Sequence, residues 1–352
     1  MNTNKPKLIA YYLPQFYEIE FNNNYWGKGY TEWTTTTKAK PLFKGHYQPH
    51  IPADLGFYNL LMPGARKAQA EMAQKYGIDG FCYWHYWFGN GKTVMEKPLD
   101  GILATGEPDF PFCLCWANHS WHNPSTHECI LKQTYPGESD YKAYFDSLLP
   151  AFRDKRYIKI NGKPLFAIFE PESIPNPNRY IELWQTWAKI EGFPGIYFVG
   201  LAQIPETIKK LECIKLDAIN AIRLKDFHQH LNPLKERIKY MLGSIHSYKY
   251  ELAAKYFVAP EDTKENIIPT IIPGWDHSPR AGKNSLILTD YTPDAFREHL
   301  EDVFKILEKK ENRLCFVKAW NEWGEGNHLE PDLKYGLQFL EVLKETREKY
   351  ER

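Results

Sequence analysis

Apolar residues in this chain fall into short, nearly continuous runs, separated by longer segments in which they recur every three or four positions. The runs at residues 8–13, 80–87, 112–117, 165–169, 196–201, 218–222, 267–272 and 314–320 have the length of strands. They lack polar alternation, which predicts strands covered on both faces. Between them the spacing turns helical. Ala65, Ala68, Met72 and Tyr76 share one helical face, and Gly77 ends it. Thr292 and Pro293 supply a cap and a first-turn proline to a helix with the inner stripe Phe296, Leu300, Val303 and Leu307. A last helix is predicted from about residue 334 to 349. Eight buried strands alternating with helices, with no Gly/Ser-rich linker, predict an α/β chain folded as one (β/α)8 TIM barrel domain over residues 1–352. The long stretch 225–265, patterned as helix over 234–256, is expected to be a helical insertion after the sixth strand.

Composition narrows the function. The 44 basic and 44 acidic side chains cancel, which argues against a nucleic-acid partner. No apolar run approaches the roughly 18 residues of a membrane span. The first run, stopped by Pro14, is too short for the core of a signal peptide, so a cytoplasmic location is expected. The six cysteines (82, 113, 115, 129, 213 and 315) show neither a disulfide framework nor a zinc spacing. Four of them lie in strand runs, where a thiol acts as a small core residue, and the reduced state is expected. Aromatic residues make up 15% of the chain. Their flat apolar faces suit the C–H face of a sugar ring as well as a core.

Active sites of such barrels form at the C-terminal ends of the strands, so those ends hold the candidate residues. Strand eight runs into Lys318-Ala-Trp-Asn-Glu-Trp-Gly-Glu-Gly-Asn-His-Leu-Glu-Pro331. Glu322 and Glu325 flank Trp323, and Gly324 and Gly326 permit a turn sharp enough for both carboxylates to face one cavity. Two carboxyl groups in one site split into a protonated acid and an ionised base, as glycosidic cleavage requires. Trp320, Asn321, Trp323 and His328 around them argue against a merely solvated acidic loop. Other strand ends are similarly polar and aromatic. The first offers Tyr12 and Gln15, with Trp26, Glu32 and Trp33 in its loop. The second offers Tyr83, His85 and Trp87, the third Trp116, Asn118, His119 and Trp121, and the seventh Trp275, Asp276 and Arg280. All of these are candidate contacts to an oligosaccharide or polysaccharide. No cofactor is expected. Gly27-Lys-Gly29 lacks the rest of a dinucleotide motif, and there is no phosphate loop. His122, His127 and Cys129 match no standard metal spacing, so no metal is expected either.

Several stretches carry a family resemblance: Tyr11-Tyr-Leu-Pro-Gln-Phe16, residues 26–33, residues 38–50 ending in His50, Tyr76-Gly-Ile-Asp-Gly-Phe-Cys82, residues 109–118, Gly274-Trp-Asp276 and residues 319–331. In them the chain resembles the WbsX-like proteins of polysaccharide-biosynthesis loci. Those are related to glycoside hydrolase family 99, the endo-α-mannosidases and endo-α-mannanases. The resemblance implies a glycan-active barrel that cleaves or transfers an α-linked sugar with retention through a 1,2-anhydro sugar. It also implies that Glu322 is the base towards the sugar 2-hydroxyl and Glu325 the general acid/base, and it adds His50 to the substrate-binding candidates. One departure stands out. Relatives carry Ala-Asn-Glu-Asn-Trp and then arginines after strand three, where this chain has Ala117-Asn-His-Ser-Trp121-His122. A carboxylate and basic groups are replaced there, which bears on the sugar recognised. Two further readings are a nucleotide-sugar-dependent glycosyltransferase of O-antigen or capsular polysaccharide and a non-catalytic glycan-binding protein.

Overall fold

A computed structural model describes residues 5–123, 128–241 and 243–351. Its centre is a cylinder of parallel strands: β1 (Lys7–Tyr12), β2 (Gly80–His85), β3 (Phe112–Trp116), β4 (Lys163–Ile168), β5 (Tyr197–Ala202), β6 (Ala218–Ala221), β7 (Ile267–Ile268), β8 (Thr270–Ile271) and β9 (Leu314–Val317). Neighbours follow the order β7-β6-β5-β4-β3-β2-β1-β9-β8. The two ends of this path are successive pieces of one run, parted only by Pro269. Proline has no N–H for a ladder, and the predicted strand 267–272 divides there. β7 pairs with β6 (Ile267 opposite Ile219), and β8 pairs with β9 (Thr270 opposite Phe316). The Pro269 carbonyl accepts from the Phe316 N–H at 3.2 Å, so the barrel closes across the break. The expected α/β barrel is present, with its seventh strand in two halves.

Helices cover the outside. After β1 come α1 (Glu20–Trp26), α2 (Glu32–Lys38) and α3 (Pro63–Lys75). α4 (Lys97–Thr105), α5 (Glu138–Arg153), α6 (Pro177–Ile190) and α7 (Pro205–Leu211) follow β2, β3, β4 and β5. α8 (Pro233–Met241) and α9 (Tyr250–Ala254) follow β6, α10 (Ser278–Ala281) and α11 (Pro293–Glu308) follow β8, and α12 (Gln338–Tyr350) follows β9. The stretch after β6 is mixed rather than purely helical, because His246–Lys249 between α8 and α9 pairs in parallel with Leu286–Thr289. At α11 the Thr292 hydroxyl accepts from the Ala295 N–H at 3.2 Å, and Phe296, Leu300, Val303 and Leu307 are buried. Cys82, Cys113, Cys115 and Cys315 are buried and unpaired. Among the described residues, no helix is long and apolar enough to cross a membrane.

Strand parity decides what reaches the site. Tyr11 points into the cylinder, where its ring stacks on Trp84 at 5.0 Å and on Phe316 at 4.9 Å. Its hydroxyl donates to Asn220 Oδ1 at 2.8 Å. Tyr12, the next residue, points out and donates to Gln69 of α3 at 2.7 Å. Successive side chains of a strand take opposite faces, so each strand sends only every second residue towards the cavity.

Candidate active site

After β9 the chain makes a small hairpin in which Asn321–Glu322 pairs antiparallel with Asn327–His328, joined by one tight turn at Trp323–Glu325. The turn places Glu322 and Glu325 on the wall of a cavity of about 270 Å³ at the C-terminal end of the barrel. Trp84, Tyr86, Trp121, Phe169 and Trp275 supply its aromatic walls. Lys318, the first residue after β9, also lines the cavity, with Nζ 3.6 Å from Glu325 Oε2 and 5.2 Å from the centre of the Trp275 ring.

Arg280 of α10 holds the carboxylates together. Its Nη1 donates to Glu325 Oε1 at 2.7 Å and its Nη2 to Glu322 Oε2 at 3.1 Å. Its Nε donates to Glu32 Oε1 at 2.9 Å, and Glu32, at the start of α2, is almost fully buried. Three acids thus meet two bases, Arg280 and Lys318, which leaves a deficit of one positive charge. The site meets it by raising one carboxyl. Burial, with the repulsion of Glu325 added and the attraction of Arg280 and Lys318 subtracted, pushes Glu322 up to about 7. Burial acts in the same direction on Glu325, but Lys318, Arg280 and His277 outweigh it and hold that carboxyl below the usual range. Glu322 Oε1 accepts from Trp84 Nε1 at 3.1 Å. Glu325 Oε2, buried and 3.6 Å from Lys318 Nζ, has no hydrogen-bond partner among the described residues.

The two glycines of the turn do different things. Gly326 has φ +53°, the left-handed conformation that turns the chain. Gly324 has no unusual φ; a Cβ there would lie 1.9 Å from Glu32 Oε1 and 2.9 Å from Arg280 Nε. Its role is close approach, since the bare backbone leaves the space that the Glu32–Arg280 pair occupies. Gly324→Ala is expected to displace that pair and cost about 2 kcal/mol, as overpacking does. Chemical denaturation, compared with Gly64→Ala as a control at an ordinary φ in open space, measures it.

Beneath the hairpin is a buried polar knot. Glu330 accepts from Trp323 Nε1 at 2.6 Å, Gln69 Nε2 at 2.7 Å and Tyr58 OH at 2.8 Å. Burial pushes its carboxyl up to about 7 against the pull of those donors. Trp323 also stacks on His328 at 3.7 Å. The Asn321 amide is spent on Leu13, accepting from its N–H at 2.7 Å and donating to its carbonyl at 3.1 Å.

A second, outer cavity of about 560 Å³ adjoins the first and shares Gln15, His119, Trp121 and Arg280 with it. Trp26, Tyr30, Glu32, Lys38 and His122 face this outer space. Asn22, 1% exposed, lines it with both amide atoms unpartnered among the described residues. The two cavities gather the candidates Gln15, Trp26, Glu32, His119, Trp121, Trp275, Arg280, Glu322 and Glu325.

The other candidates lie in the packing around the cavities. Tyr12, Tyr83, Trp116 and Trp320 are buried. His85 bonds Tyr144 of α5 at 2.9 Å, and Trp87 donates to Asp140 at 3.0 Å. Trp33 donates to the Tyr58 carbonyl at 2.8 Å, and the Asn118 amide donates to the Glu170 carbonyl at 2.8 Å. Asp276 accepts from Gln48 at 2.6 Å and bonds His46 at 2.6 Å, and its N–H donates to the Glu325 carbonyl of the turn at 2.6 Å. Residues missed in the sequence include Trp84, Tyr86, Lys318 and Tyr30. For the first two the signal was present: they are the opposite parity of the same aromatic run as Tyr83, His85 and Trp87.

One group has the composition of a metal site. His50, His328 and Asp332 bring ligand atoms within 4.8 Å of one another. Every imidazole nitrogen there is already used. His328 Nδ1 donates to the Glu330 carbonyl at 2.8 Å, so its Nε2 accepts from His50 Nδ1 at 2.9 Å. His50 Nε2 in turn accepts from Tyr291 OH at 2.8 Å. Burial lowers both rings, His50 to about 3, in keeping with this neutral chain of donors. In the other candidate set, His122 and Cys129 face each other across a short strand pair, and His127 lies outside the described residues.

Comparisons with known proteins bear on the family and the fold. The family model described as Glycosyltransferase WbsX matches residues 8–343. Two relatives named "Uncharacterized protein WxcX", from the B100 and ATCC 33913 strains of Xanthomonas campestris pv. campestris, are each 31% identical over 96% of this chain. The chain spans about half of their length, 49%. Among solved structures, a GH99 endo-α-mannosidase from Bacteroides thetaiotaomicron in complex with bis-tris-propane is similar at TM-score 0.60 and 14% identity, covering 98% of this chain and 97% of its own. A glycoside hydrolase-like protein is similar at TM-score 0.59 and 17% identity, covering 98% and 95%. At those identities the likeness speaks for the fold. On a barrel like that of these solved structures, the chain belongs to the family described as Glycosyltransferase WbsX.

Proposed function

We propose that this protein breaks an α-glycosidic bond with retention, or passes the released sugar to an acceptor, using Glu322 and Glu325 as one proton-sharing pair. The observation that carries this reading is the pair itself: two carboxyls of opposed acidity on one aromatic-walled cavity. His119 Nδ1 and the Asn22 amide, buried and without partners among the described residues, are ready donors and acceptors for sugar hydroxyls. The endo-α-mannosidase named among the fold neighbours makes manno-configured α-linked oligosaccharides the first substrates to try.

In the first step Glu322 takes the proton of the sugar 2-hydroxyl. O2 then attacks C1, the bond from C1 to the leaving oxygen breaks, and Glu325 protonates that oxygen. In the second step Glu325 takes a proton from water or an acceptor hydroxyl, whose oxygen attacks C1. The C1–O2 bond opens and O2 recovers its proton from Glu322. The surroundings of the pair favour the single proton on Glu322, whereas this sequence starts with it on Glu325. Sugar binding supplies the exchange: a 2-hydroxyl donating to Glu322 favours its ionised form, and drawing Arg280 away from Glu325 favours protonation there. Aryl glycosides with acidic leaving groups test the roles. Glu325→Gln recovers its first step on them, because the leaving group needs no proton, and Glu322→Gln does not; the reverse pattern assigns the roles the other way.

The pH dependence follows. Catalysis needs one proton on the pair. Above about 7 the proton is lost, and kcat/KM is expected to fall about tenfold per pH unit. The acid limb belongs to Glu325, which is held below the usual carboxylate range. A pH–rate profile of the free enzyme measures both limbs. The six unpaired thiols, with Cys129 and Cys213 exposed, support a reducing compartment as the place of action.

A further inference from the structure

The loop after β6 carries a helix with its faces reversed. On α8, Glu236 and Lys239 are partly buried; Glu236 accepts from Tyr248 OH and pairs with Lys239 at 2.9 Å. Leu234, Ile238 and Met241 recur at i, i+4 and i+7, and are 67%, 48% and 75% exposed. A helix on a water-facing surface shows the opposite pattern, apolar side in and charged side out. Lys235 and Arg237 flank the apolar stripe, and neither makes an ion pair among the described residues. The surroundings are basic. Residues 225–255 hold Lys225, Lys235, Arg237, Lys239, Lys249 and Lys255 against Asp226, Glu236 and Glu251, in a chain with no net charge. Lys225, where this segment begins, lines the inner cavity, so the reversed helix stands on the same side of the barrel as the cavity mouth.

We propose that α8 docks on an anionic lipid surface, with Leu234, Ile238 and Met241 among the acyl chains and Lys235 and Arg237 on the headgroup phosphates. Three aliphatic side chains fall well short of the roughly 800 Å² per partner of a stable protein interface. An apolar stripe flanked by cations is what interfacial binding needs. Docked in this way, the protein holds its cavity mouth at the membrane surface, where a glycan carried on a lipid is within reach.

Co-sedimentation of the full chain with phosphatidylcholine vesicles, with and without phosphatidylglycerol, tests the proposal and requires no enzymatic activity. Binding is expected only to the phosphatidylglycerol vesicles and weakens as salt is added. Replacing Leu234, Ile238 and Met241 by Gln together lowers it by about tenfold or more. Lys235→Gln and Arg237→Gln each lower it roughly fivefold. The thermal midpoint of every variant stays at the parent value, because these side chains already face water. Failure of the parent chain to bind, equal binding by the triple variant, or self-association that the triple variant abolishes would overturn the proposal.

Discussion

Glu325→Gln is expected to reduce turnover by about a thousandfold or more, the scale of losing an acid–base group, and to leave the fold intact. Gln keeps the shape and still accepts from Arg280 Nη1, but it has no proton to give or take at the leaving oxygen. The charge count predicts the stability result. The parent cluster sets Glu32, Glu322 and Glu325 against Arg280 and Lys318. Removing one carboxylate balances it, so the variant melts at or above the parent temperature. The same change removes the repulsion that helps hold Glu322 at about 7 and leaves Arg280 beside it, so the Glu322 carboxyl shifts down. Carbon-13 NMR titration of labelled Glu side chains reads that shift directly. A variant that is inactive because it is unfolded, or folded with Glu322 unmoved, contradicts this description of the pair.

Arg280→Gln carries the other large effect, and on stability as well. Without the guanidinium, three acids face Lys318, and Glu32 loses the one cation paired with it among the described residues. Removing one member of a buried ion pair costs about 3–5 kcal/mol, and the lower end applies here because the Arg280 side chain is 24% exposed to the cavity. Both carboxyls also rise, so each limb of the pH–rate profile moves to higher pH. Adding Glu32→Gln is expected to restore part of the stability, since it removes the stranded charge. A double variant no more stable than Arg280→Gln would mean that the cost lies in packing rather than in charge.

The barrel was legible because strands buried on both faces are written as unbroken apolar runs, and such runs are hard to disguise. The break at Pro269 was less so: the run 267–272 reads continuously, and only pairing shows that its halves belong to different neighbours. The Glu-x-x-Glu turn could be read from its own residues. Its electrostatics could not, because Arg280 bridges Glu32, 248 positions away in the chain, and both hydrogen-bond to their partners only once the strands are in place. In strand two the aromatic run from Phe81 to Phe88 was recognised, but without a pairing register nothing fixed which parity faced inward. Tyr83, His85 and Trp87 pack against the surrounding structure, while Trp84 and Tyr86 line the cavity. Gly324 shows a similar limit: its neighbours in the sequence suggest a turn, and only its neighbours in space show that it makes room for Glu32.

The most direct test of the account is proton NMR of the anomeric signals formed from α-linked oligosaccharides, with and without nucleotide sugars, for the parent chain beside Glu325→Gln. Donor-independent cleavage or transfer with retained configuration is expected, absent from the variant. Chain extension that strictly requires a nucleotide sugar, or product formation by Glu325→Gln at the parent rate, would contradict it.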